Sequence, residues 1–152
     1  MAANINPIYS LTPNVGSVKI TTTAALVRSD GSVANAIGTD QFLAFTSGAS
    51  GSFVQRVRFI PVASAAAVNS VATTLRVYLS TVNSGTPTAA NTNLLGEISV
   101  PIISAANSTA AASYYEIPLN IAIPASTYIL VSQHIAQTTN QSWQAIVFGG
   151  NY

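Results

Sequence analysis

From Ser17 onward, short runs in which apolar and polar side chains alternate one by one are separated by loops of Ala, Ser, Thr, Asn and Gly such as Ala63 to Ala72, Asn83 to Asn93 and Ser104 to Ser113. A period of two is the signature of a half-buried strand, and nowhere does a sustained 3.6-residue stripe replace it. Val18 and Ile20 alternate with Ser17 and Lys19. Phe42 to Phe45 form a short apolar run closed by the turn formers Ser47 to Gly51. Phe53, Val57 and Phe59 share one face in this reading, with Arg56 and Arg58 on the other. Leu75, Val77 and Leu79 repeat the pattern opposite Arg76 and Tyr78. Leu94, Ile98 and Val100 follow with Glu97 on the polar side, then Tyr115, Ile117 and Leu119, then Ile129, Val131 and Ile135, and last Trp143 to Phe148. The pattern predicts an all-β, single-domain antiparallel sandwich of about eight strands, jelly-roll-like.

At 152 residues the chain is long enough for one core without covalent staples. It contains no cysteine, which removes disulfides, thiol chemistry and cysteine metal ligands together. Residues 1 to 16 read as an N-terminal arm and 17 to 152 as the sandwich. Pro7 and Pro13 interrupt the arm, and Ile5, Ile8, Tyr9 and Leu11 are its candidates for exposed apolar side chains. The start lacks the basic and apolar stretches of a secretory signal, which predicts a protein assembled in the cytoplasm.

Charge is scarce. Five Lys or Arg and four Asp or Glu make up 6% of the chain, where about 25% is usual for a soluble domain. So few ionisable groups argue against an enzyme, a nucleic-acid partner or an anionic membrane. They suit a body whose surface lies against other protein, since chains near neutrality associate readily. His134 is the single histidine and has neither a second histidine nor a cysteine with which to build a zinc site. Asp30 and Asp40 flank a Gly/Asn-containing loop, but Ser29-Asp30-Gly31 is a turn signal and the spacing matches no calcium loop. No nucleophile elbow, phosphate-cradling loop or carboxylate pair is present, and no cofactor is expected.

Arg56, Arg58 and Arg76 all fall on polar faces. If the strands around 57 and 77 are neighbours, the three form a small basic cluster. Two readings stay open: pairing with Glu97 and Glu116, or contact with another protein, where arginine is enriched. Among the aromatics, Tyr115 and Trp143 fall at core positions, which leaves Tyr114, Tyr128 and Tyr152 as candidates for a sugar-stacking surface.

Pro13-Asn14-Val15-Gly16, the run Phe45-Thr46-Ser47-Gly48-Ala49-Ser50-Gly51-Ser52-Phe53-Val54-Gln55-Arg56-Val57-Arg58-Phe59 and the ending Val147-Phe148-Gly149-Gly150-Asn151-Tyr152 resemble a group of small, Ala/Thr/Asn-rich virion proteins of tailed bacteriophages. The resemblance runs nearly end to end and brings no catalytic residues with it. It implies a virion component of the capsid decoration (cement) type, a homotrimer on the outside of the head whose partners are the major capsid protein and its own copies. On that expectation Ile5, Ile8, Tyr9, Arg56, Arg58 and Arg76 are the contact residues. The alternative is a tail or head-fibre component that binds host-surface glycans.

Overall fold

The computed structural model describes residues 10–20, 28–33, 35–64, 69–103 and 113–152. Among these are eight strands and no helix: β1 (Thr12–Ile20), β2 (Phe42–Thr46), β3 (Ser52–Ala63), β4 (Thr73–Ser80), β5 (Thr92–Val100), β6 (Tyr115–Ile123), β7 (Tyr128–Gln133) and β8 (Gln141–Asn151). They form two four-stranded antiparallel sheets, ordered β1-β8-β3-β6 and β2-β7-β4-β5. β1 pairs with β8, β2 with β7, β3 with β6 and β4 with β5. That nesting is a long antiparallel ribbon rolled up on itself, the jelly-roll arrangement.

The core lies between the sheets. Ile20, Val57, Phe59, Leu75, Val131 and Trp143 are fully buried there. The Trp143 ring meets Tyr115 edge-on, with centroids 5.9 Å apart and planes at 71°, the geometry favoured by the aromatic quadrupole. β1 begins at Thr12 and pairs Thr12 with Asn151, so the last residues of the predicted arm belong to an edge strand.

Two bulges overturn parts of the alternation. In β3 the pairing slips at Gln55, between Val54 and Arg56. One extra residue reverses the facing of everything on one side of it. Val54 therefore enters the core at 0% exposure, and Phe53, expected inside, stands half-buried on the outer face. β5 does the same at Leu95, between the partners of Val77 and Tyr78. Leu95 packs on the core, whereas Leu94, expected inside, is exposed.

Tyr78 also departs from expectation. It does point away from the main core, yet it is fully buried, as is Leu130 beside it. Val33 and Ile37, from the described residues that precede β2, pack on these two side chains and form a second small core with them. The Tyr78 hydroxyl donates to the Arg28 carbonyl at 3.1 Å, and the buried Gln41 amide donates to the Gly31 carbonyl at 3.0 Å.

Candidate functional site

The outer face of the β1-β8-β3-β6 sheet carries a trough of about 670 Å³. Its formation follows from local backbone irregularities. Gln55 is the extra residue of β3, and opposite it β6 also carries an extra residue, where Asn120 takes a φ of +51°. A left-handed conformation of this kind is tolerated best by Gly and Asn. Bulges on adjacent strands bend the sheet and open a hollow. Phe53 and Gln55 of β3, Phe148 and Gly149 of β8, Val15 of β1 and Asn120 of β6 line it, with Ser10 at its rim. None of these side chains is charged. The hollow is an apolar floor with two amides.

Beside the trough stand two of the three arginines. Arg58 and Glu116 are directly opposed on β3 and β6. Arg58 donates to Glu116 Oε1 through Nε at 2.7 Å, and its Nη2 lies 2.7 Å from the same oxygen. Arg56 Nε stands 3.2 Å from that oxygen too. It is off the hydrogen-bond axis, so this second contact is electrostatic. Both cations also lie on aromatic faces: the guanidinium of Arg56 is 4.5 Å from the Phe148 ring centre and that of Arg58 is 4.3 Å from Tyr114. Such contacts reward a flat, weakly hydrated cation. Arg56 further donates to the Gln55 amide oxygen at 2.6 Å.

Arg76 is elsewhere. It sits on β4, in the other sheet, so the conditional three-arginine cluster does not form. Its register partner on β5 is Glu97, whose Oε2 accepts from Arg76 Nε at 2.8 Å. Arg76 Nη1 lies 3.2 Å from His134 Nδ1, which gives the histidine a packing role on the outer face of the second sheet. All three arginines thus have carboxylate partners within the chain. Ile5, Ile8 and Tyr9 lie outside the described residues.

The acidic loop resolves into turn chemistry. Asp30 Oδ1 accepts from the Ser32 amide at 2.9 Å and from the Ser32 hydroxyl at 2.7 Å, and these bonds hold its carboxyl below the usual 3.8 by favouring the charged form. Asp40 is buried and accepts from the Asn35 amide at 3.0 Å. Among the described residues no three His, Asp or Glu side chains gather as metal ligands would. Tyr114, reached by sequence as an exposed aromatic, is 56% exposed. The trough itself was missed, because it depends on two bulges that leave no mark in the pattern of residue types beyond the out-of-phase Phe53.

No protein-family model matches the sequence, and no curated protein matches it as a relative. Solved structures that resemble the fold distantly include two viral chains. One is a chain of the cyanophage Pam1 capsid asymmetric unit, with a TM-score of 0.40 and 14% identity over 98% of this chain and 93% of that one. The other is a chain of infectious bursal disease virus, Gx strain, with a TM-score of 0.34 and 13% identity over 99% of this chain and 36% of that one. Neither likeness is close enough to carry a residue's role across.

Proposed function

We propose that this chain is a bacteriophage virion structural protein that decorates the outside of the head and stabilises it, acting as a homo-oligomer, with three copies as the expected number. The observation that carries the reading is the outer face of the β1-β8-β3-β6 sheet. There an uncharged trough floored by Phe53 and Phe148 is bordered by arginines already neutralised by Glu116. Aromatic and arginine side chains without uncompensated charge are the composition of a protein–protein contact. The scarcity of charge over the whole chain and the sequence resemblance to phage virion proteins point the same way. In this mechanism the arm residues Ile5, Ile8 and Tyr9 add apolar contacts on the shell, each worth about 1.5–3 kcal/mol when fully buried. Symmetric copies multiply the effect.

The test is co-sedimentation of the recombinant protein with purified heads and, separately, with purified tails of the virus. Saturable binding to heads, lost when residues 1 to 9 are deleted and fold is retained, is the expected result. Binding to tails alone, or to neither, overturns it. A second reading, glycan binding by a fibre component, is favoured by the Gln55 and Asn120 amides beside the two phenylalanines. A glycan array separates the two: sugar binding that is lost on Gln55→Ala substitution, without head binding, supports the second.

A further inference from the structure

Resting on the homo-oligomer of the proposed function, we infer that copies of this chain associate head to tail, with Ile102 of one copy seated in the trough of the next. The contact is apolar, and the two surfaces that make it lie at opposite ends of the molecule.

A single exposed isoleucine needs no explanation, but Ile102 is held out on a fixed mount. It is 62% exposed and follows Pro101, also exposed, directly after β5. On one side Val100 is buried and pairs with Thr73 of β4. On the other, Ile103 donates its amide to Ser70 Oγ at 2.7 Å, and its carbonyl accepts from the Ser70 amide at 2.9 Å. The ring of Pro101 sets its φ, so the projection between these anchors is rigid before it meets anything and loses little freedom on docking. Ile135, also exposed, adds a second apolar side chain at this end, its amide bonded to Thr73 Oγ1 at 2.9 Å.

Within one chain the trough is out of reach of this projection. Phe53 is second in β3, and the turn into β3 is tied to the start of β7 by the Ser47 amide, which donates to the Thr127 carbonyl. The next residue, Tyr128, pairs with Ser80 of β4, and Ser80 pairs with Thr92, where β5 begins. The trough therefore stands at the end of the sandwich where β5 starts, whereas Ile102 stands beyond the end of that strand. The nine residues of β5 lie between, a span of roughly 25–30 Å. Two different patches that meet between copies make a heterologous contact, which closes into a ring when the rotation allows.

The chemistry of the two patches matches. The trough offers Val15, Phe53 and Phe148 with no charged lining residue, so an uncharged occupant enters it at least cost. Ser99 to Ile103 carry no charged side chain. Beside the hollow, Arg56 Nη1 donates to Gln55 Oε1 at 2.6 Å. A guanidinium only donates, so the oxygen is the Gln55 atom engaged there and Nε2 is the donor left for an occupant. Pro101 has no N–H, so the projection carries more backbone acceptors than donors. Gly149 brings no side chain to the floor, which leaves depth for an isoleucine.

Because the chain has no cysteine, engineered thiols report this contact cleanly. The full-length double variant Ile102→Cys/Gln55→Cys is treated with a short bis-maleimide, and linkage between chains is measured. The controls are each single variant and Asn93→Cys/Gln55→Cys, whose Asn93 is exposed near the start of β5. Buried-tryptophan emission from Trp143 verifies the fold in each. Sedimentation velocity of the parent and of Ile102→Asp gives the association state separately. The expected result is linkage between chains several-fold above every control, in a ladder that ends at three, and conversion of the parent oligomer to monomer by Ile102→Asp. A parent oligomer whose double variant links no better than the controls, or whose Ile102→Asp variant sediments unchanged, overturns the contact and leaves the homo-oligomer standing. A parent that is monomeric at every concentration overturns both. A ladder that ends at another number upholds the contact and corrects the number of copies.

Discussion

Gly149 faces the carbonyl oxygen of Phe53 so closely that a β-carbon at position 149 would stand 2.5 Å from it. The contact is backbone on backbone, between the two central strands of the sheet that bears the trough, so no side chain can swing aside to relieve it. Gly149→Ala is expected to force β8 and β3 apart and destabilise the protein by about 1–3 kcal/mol, read from urea unfolding followed by Trp143 fluorescence. A change within about 0.5 kcal/mol of the parent, the range of neutral surface substitutions, would show that the strands yield freely there.

Glu116 serves two arginines with one oxygen, whereas Glu97, 48% exposed at its side chain, has Arg76 as its register partner. Replacing Glu116 by Gln keeps the shape and leaves two like charges adjacent. We expect Glu116→Gln to cost about 1 kcal/mol at low ionic strength, with most of that loss disappearing in high salt as the repulsion is screened. Glu97→Gln is expected to cost less under both conditions. Denaturation curves at two salt concentrations check both statements.

Tyr78 links the second small core to pH. Burial raises its phenol above the usual 10.0, because the charged phenolate is the form that loses hydration. The folded state thus holds this proton more tightly than the unfolded chain does. The associated stability is complete below pH 10 and is lost as pH rises from there through the folded value. Tyr78→Phe is expected to remove that part of the alkaline decline. At neutral pH it is expected to cost about 1 kcal/mol for the hydrogen bond to the Arg28 carbonyl. Ultraviolet titration of the parent minus the variant isolates the phenol, with its midpoint above 10.0.

Strand existence was legible from alternation, and pairing of Arg56, Arg58 and Arg76 with Glu97 and Glu116 was legible as one of two readings, since so few acids are available to so few cations; which arginine meets which acid was not. What the pattern concealed has one physical cause. Period-two reasoning assumes an unbroken pleat, and at Gln55 and Leu95 the pleat skips a residue. Phe53 and Leu94 were therefore read on the wrong face, and the trough that Phe53 lines could not be anticipated. Tyr78 shows a different limit. It was read correctly as facing away from the main core, but its burial depends on a loop some forty residues earlier in the chain, a relation that local alternation does not encode. The arginines likewise needed strand order, which is set by pairings far apart in sequence.

The nested pairing has a kinetic side as well. β8 lies between β1 and β3, yet of the eight strands it is the last to be synthesised. Until it emerges, β1 lacks its hydrogen-bonded neighbour among the described strands and the sheet that carries the trough stays split. Because its closing contacts join the two ends of the sequence, the chain belongs with the slow folders, maturing in about milliseconds to seconds rather than microseconds. A nascent chain that stalls before β8 would expose the unpaired rims of β1 and β3 to its neighbours.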